Sequence, residues 1–147
     1  MERSSGAAPP RRSAGSVPLQ VEVERAEDGI SVVSLAGELD LATVPVAERP
    51  LLGELESEGT LIVDLTRLSF IDSSGIALLL QALRVDGGSR LCTVVARDSQ
   101  VERVFRLAGI DRALALHFDR HAAVAALNAI AYGEADRVDS TETEDES

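Results

Sequence analysis

The chain has 147 residues, 45% of them apolar but only 3% aromatic, and a formal charge of −11. That length gives one domain able to bury a core without staples, and the scarcity of aromatics makes the core one of Leu, Val, Ile and Ala. An acidic chain without a basic stripe is a poor nucleic-acid binder, no apolar run is long enough to span a membrane, and a single cysteine excludes an internal disulfide.

Residues 1–17 are rich in Ser, Gly, Ala, Pro and Arg and lack hydrophobic periodicity, so a disordered arm is expected there. The arm has no apolar h-region, which points to a cytoplasmic protein. Gln20 to Arg25 alternates, Val21 and Val23 against Glu22 and Glu24, and predicts a strand with one solvated face. Asp28-Gly29 is a hairpin turn signal, and Ile30 to Leu35 reads as a second, more central strand. Thr43 to Ser57 should hold the first helix. Pro45 suits its first turn, whereas Pro50 in the interior predicts a late start near Arg49 or a kink. Gly59 fits the residue just beyond the helix end.

Thr60 to Leu65 is a short apolar run with β-branched residues, a buried strand that should end at the polar Thr66-Arg67. Ile76, Leu79, Leu80 and Leu83 recur at i, i+3, i+4 and i+7, the stripe of a core-facing helix. Between them stand Asp72, Ser73 and Ser74, residue types that cap helix N-termini. After the Asp86-Gly87-Gly88 turn, Leu91 to Ala96 is another buried strand, where Cys92 reads as a small apolar filler. Ser99 caps a helix with apolar positions Val101, Val104, Phe105 and Ala108, ended by Gly109. Ala113 to Leu116 is a short edge strand, and Asp119 caps a last helix through Val124, Leu127, Ala131 and Tyr132. From Gly133 the chain is acidic: residues 134–147 hold seven acids against the one Arg137, a tail expected to be disordered. The order β-β-α-β-α-β-α-β-α gives an α/β fold, a mixed β-sheet with helices mainly on one face. The domain is expected to span 18–132, between an arm at 1–17 and a tail at 133–147.

Two segments carry a resemblance. Ser69-Phe70-Ile71-Asp72-Ser73-Ser74-Gly75-Ile76 resembles the phospho-acceptor segment of the STAS-domain anti-sigma factor antagonists, bacterial proteins of partner-switching pathways. Gly37-Glu38-Leu39-Asp40 resembles the family's segment after the second strand, and Leu107-Ala108-Gly109-Ile110 a later one. The likeness runs from about Leu19 to Ile130. It implies the STAS fold and a phosphorylatable Ser73, the residue directly after the Asp. It also implies a partner surface around Asp40, Asp72, Ser73, Ser74 and Gly75. The implied partners are an anti-sigma factor serine kinase, whose sigma factor is released when the unphosphorylated protein binds, and a PP2C-type phosphatase that restores that form. No cofactor and no enzymatic activity are implied. A STAS scaffold, or a transporter-associated regulatory subunit, is the alternative within the same fold.

Other chemistry fits less well. A hydrolase elbow needs Gly two residues before its Ser, where Ile71 stands, and a triad needs a His near Ser73. His117 and His121 are the only histidines, both far along the chain. Their i, i+4 spacing is that of helical zinc ligands, but Phe118 occupies the place of the general-base Glu. Gly75 allows close packing at the start of the helix and, in the family's arrangement, close approach of a kinase.

Overall fold

The computed structural model describes residues 18–25, 29–56, 59–86 and 91–129. The arm at 1–17, Asp28 of the hairpin turn, Ser57 and Glu58, the Gly87-Gly88 turn, Ala131, Tyr132 and the acidic tail lie outside the described residues.

Five strands form one sheet in the order β1-β2-β3-β4-β5: Gln20–Arg25, Ile30–Leu39, Thr60–Ile71, Leu91–Val94 and Leu116–His117. β1 pairs antiparallel with β2, and every later pair is parallel. The parallel strands are linked by α1 (Val44–Glu56), α2 (Ser73–Asp86) and α3 (Gln100–Ala108). Because each crossover takes the same hand and each step moves the same way across the sheet, the three helices collect on one face. Strand residues alternate between the faces. Val33, Leu35, Leu61, Val63 and Leu65 join the larger core under α1–α3. Ile30, Val32, Ile62, Cys92 and Val94 face the other way, against Ala123 and Leu127 of a fourth helix, α4, whose described residues are 120–129. The mixed sheet with helices mainly on one face is thus the observed architecture.

Several boundaries differ from the sequence reading. β2 runs on to Leu39, because Gly37 and Leu39 are buried between the half-exposed Ala36 and Glu38 and continue the alternation. β3 runs on to Ile71 through two register shifts against β2. Each shift inserts one extra residue in β3, so the period-2 pattern breaks at Thr66-Arg67 although the strand does not. β4 stops at Val94, two residues short of the expected end. α1 starts at Val44 rather than near Arg49 and carries Pro50 inside it. Ala47, Leu51 and Leu55 form a buried i, i+4, i+8 row that holds the helix to the core regardless of the hydrogen bond Pro50 cannot make. Gly59 does not adopt the left-handed conformation of a helix-ending glycine; it is where the Gly29 carbonyl oxygen passes too close for a Cβ.

On α2 the buried row is Gly75, Leu78, Leu79 and Ala82, with Ile76, Leu80 and Leu83 only half-buried. Ile76 to Leu80 is apolar throughout, so periodicity allows either stripe. Packing chooses the one with the two small residues, which lets the helix lie close to the sheet. The last strand is Leu116–His117 instead of Ala113 to Leu116. Residues 111–115 turn instead, driving Leu114 fully into the core and holding Ala115 at a φ of 50°. The cap assignments hold. Ser99 Oγ accepts from the Glu102 amide at 3.1 Å, Gly109 closes α3 at a φ of 74°, and Asp119 Oδ1 accepts from the Ala122 amide at 2.7 Å.

Candidate functional site

The site is made where β2 and β3 end side by side. With the register of their first halves, in which Ser34 pairs with Asp64, Leu39 would lie opposite Ser69. The two bulges advance β3 by two residues, so Leu39 pairs with Ile71. Polar side chains hold both bulges open. At the first, Asp64 Oδ1 accepts from the Thr66 amide (2.9 Å) and hydroxyl (2.7 Å). At the second, Ser69 Oγ donates to the Gly37 carbonyl at 2.9 Å. As a result the Asp72 amide donates to the Leu39 carbonyl (3.2 Å), and Asp40 follows Leu39 on the neighbouring strand. Asp40 and Asp72 therefore meet at one end of the sheet.

Each acid organises the start of a helix. Asp72 Oδ1 accepts from the amides of Ser74 (2.9 Å) and Gly75 (3.2 Å), satisfying two of the donors that a helix start leaves without partners. Asp40 Oδ1 accepts from the Thr43 amide at 3.1 Å, while the Asp40 amide donates to Thr43 Oγ1 at 2.9 Å. The Thr43 hydroxyl in turn donates to the Glu38 carbonyl at 2.8 Å, so the turn into α1 is closed by a side chain that is almost wholly buried.

Ser73 is the first residue of α2 and is exposed; Ser74, next along the helix, is half-buried. Gly75 is buried, and a Cβ there would fall within 2.7–2.9 Å of Ile71 Cγ1 and of Leu39 Cγ and Cδ2. Its lack of a side chain lets α2 start directly over the ends of β2 and β3. Gly37 has a comparable role one strand away: it takes a φ of 112°, and the Pro18 carbonyl oxygen occupies the space of a Cβ. Four of the five expected site residues, Asp40, Asp72, Ser73 and Ser74, thus gather at one surface, with Gly75 underneath them. A groove of about 530 Å³ along α1 is lined by Pro45, Glu48, Arg49, Leu52 and Gly53. A smaller one of about 360 Å³ reaches Ser74 itself, between Leu41, Val44 and Glu48 on one side and Ala77, Gln81 and Arg84 on the other.

The sequence reading missed the residues that support this surface. Ser69 and Thr43 act through single hydroxyls, and nothing in their spacing marks them. Gln100, the first residue of α3, accepts from the Ile71 amide through Oε1 (3.0 Å) and donates to the Ile71 carbonyl through Nε2 (3.2 Å). No local pattern predicts a contact across 29 positions. The histidines are elsewhere: His117 lies in β5 and His121 in α4, with the Asp119 cap between them, so they do not share a helix face. No three His, Cys, Asp or Glu side chains among the described residues are grouped as a metal site requires. No helix among the described residues is long and apolar enough to cross a membrane.

Residues 21–124 match the family model of the STAS domain. The chain is 32% identical over 112 residues to the anti-sigma-F factor antagonist RsfB of Mycobacterium tuberculosis, a match covering 74% of this chain and 91% of that one. Among solved structures it resembles an anti-sigma factor antagonist from Mycobacterium paratuberculosis, with 27% identity, a TM-score of 0.70 and coverage of 77% and 98% of the two chains. It also resembles the Bacillus cell fate determinant SpoIIAA in its phosphorylated form, with 25% identity, a TM-score of 0.55 and coverage of 73% and 99%.

Proposed function

This chain belongs to the STAS domain family, and from that premise we propose that it is an anti-sigma factor antagonist switched off by phosphorylation of Ser73. The observation that carries the proposal is the exposed Ser73 hydroxyl at the first position of α2, beside the Asp72 cap. The relatives support it, since two are named anti-sigma factor antagonists and one was solved with a phosphate attached. In the unphosphorylated form the surface around Asp40, Asp72, Ser73 and Ser74 binds an anti-sigma factor that is also a serine kinase, and the sigma factor is released. The Ser73 oxygen then attacks the γ-phosphorus of the kinase's ATP. ADP leaves, and the hydroxyl proton passes to a base on the kinase. A PP2C-type phosphatase reverses the modification. The protein is a phosphoryl acceptor and binding module in this scheme, not an enzyme.

Electrostatics explains why one phosphate suffices. Phosphoserine adds about −1.5 to −2 charges at neutral pH. Within the protein, the exposed start of α2 favours an anion by about 0.3–1 kcal/mol, which offsets part of the repulsion from Asp40 and Asp72. A partner surface fitted to a neutral hydroxyl offers no such offset, and an unpaired charge buried in an interface costs several kcal/mol.

The test uses unmodified protein to recover the kinase from lysate of the source bacterium, then incubates the pair with ATP. Intact-mass measurement should show one added phosphate on the wild type and on Ser74→Ala, and none on Ser73→Ala. Equal phosphorylation of Ser73→Ala would remove the assignment.

A further inference from the structure

The structure assigns a positioning role to Gln100: its side-chain amide serves as the missing neighbour strand for the end of β3 and so sets the direction of the Ser73 hydroxyl. The inference rests on Ser73 being the acceptor.

β4 accompanies β3 only as far as Asp64, which pairs with Val94. From there to Ile71 no strand among the described residues lies on the side of β3 turned away from β2. Along a parallel strand, successive residues turn their amide and carbonyl groups to opposite sides. Asp72 turns its amide toward β2, to the Leu39 carbonyl; Ile71 turns both of its groups the other way. Gln100 meets both. A primary amide offers an acceptor and a donor in one plane, as a peptide unit does, so it continues the ladder by one residue where backbone is lacking.

The clamp is itself firmly mounted. Ser99 is the N-cap of α3, and Glu102, almost wholly buried, accepts from the Asp98 amide. Val101 and Phe105 are fully buried and fix the helix on the sheet. Ile71 is therefore gripped from both sides of the strand end: its neighbour's amide by β2, its own groups by α3. The Asp72 cap and Ser73 follow without an intervening residue. Rotation of the Ile71 peptide would swing the cap, and with it the hydroxyl that has to line up with a γ-phosphate. Misplacement by about 1 Å can cost a reaction about a hundredfold. Gln100 touches neither the phosphate donor nor the reacting oxygen. It acts through the Ile71 backbone.

The experiment compares full-length wild type with Gln100→Leu, which removes both bonds at similar size, and Gln100→Asn, which shortens the reach. Ile62→Val serves as a stability control, because Ile62 is buried on the opposite face of the sheet, away from the site. Amide exchange is followed by NMR at Ile71 and at Val63 in the middle of the same strand. Phosphate incorporation at Ser73 is followed by site-resolved mass spectrometry in ATP-supplemented lysate of the source bacterium. In both Gln100 variants the Ile71 amide should exchange at least about tenfold faster, with Val63 at the wild-type rate, because the opening is local. Initial phosphorylation should fall at least about fivefold in those variants and by less than about twofold in Ile62→Val. Unchanged Ile71 exchange would overturn the positioning role. So would phosphorylation that persists at the wild-type rate in Gln100→Leu or Gln100→Asn, or that falls equally in Ile62→Val. Absence of phosphate from wild-type Ser73 is a different failure: it removes the acceptor reading, and this proposal with it.

Discussion

As the proposed acceptor, Ser73 is suited by its position as much as by its hydroxyl. At the first helical position it is exposed, while the capping task next to it is taken by Asp72. An acid at position 73 would therefore meet the favourable end of α2 without displacing any bond the cap makes. Ser73→Asp should keep the fold and melting temperature yet bind the anti-sigma partner at least about tenfold more weakly, ~1.4 kcal/mol. Calorimetry on the folded variant decides this; undiminished binding by both Ser73→Asp and the phosphoprotein would leave Ser73 as part of a helix start and nothing more. Gly75 makes the opposite kind of contribution, through absence. Gly75→Ala gains up to about 1 kcal/mol of helix propensity. Against that, the new methyl enters the space of the buried Leu39 and Ile71 side chains, and overpacking costs about 1–3 kcal/mol. The second effect wins because neither neighbour faces solvent into which it could move. Denaturant unfolding should show a net loss, and a stabilised variant would disprove the tight contact.

Among the elements, β3 is the longest strand of the described residues. Its first half is a buried strand, and its second half uses two bulges to bring the chain level with the end of β2. The residue at the first bulge also ties α4 to the sheet. Asp64, almost wholly buried, accepts from Thr66 with one oxygen and from Arg120 Nε of α4 with the other at 2.6 Å. Arg120 reaches on to Ser34 Oγ (2.9 Å) and Glu24 Oε1 (3.1 Å), so one guanidinium clasps α4 to three strands. Burial alone would raise the Asp64 pKa. The two bonds from Thr66 and the bond and charge of Arg120 outweigh it, and the carboxyl is held below its usual value of 3.8. The unfolded chain thus takes up this proton before the folded one does. The contribution is complete above the unfolded value and is lost as pH falls through the lower, folded one. Acid titration of stability below about pH 4 should be steeper for wild type than for Asp64→Asn, which has no proton to gain. Equal slopes would mean the clasp carries no charge-dependent stability.

At the scale of the whole molecule, the described residues form two cores, one under α1–α3 and one under α4. Residues 1–17 and 134–147 offer few apolar side chains to either. Their deletion should leave the melting temperature nearly unchanged, and a fall of many degrees would reveal that the basic arm or the acidic tail docks on the domain. The amino-acid sequence by itself determined the element order, the aliphatic core, the caps at Asp72, Ser99 and Asp119, and the segment around Ser73. These follow from hydrophobic period and from side chains bonding to backbone within three residues, both of which are local. Tertiary structure alone decided the rest. The bulges of β3 erase the two-residue period that would have revealed its length. The uniformly apolar start of α2 let packing choose its buried stripe, and the row Ala47, Leu51 and Leu55 kept α1 whole across Pro50. Asp40 meets Asp72, Ser69 meets Gly37 and Gln100 grips Ile71 only because strand register and helix placement carry them there. Their partners are 29 to 32 positions away, on another element, and no pattern within a helical turn or a strand encodes such a distance.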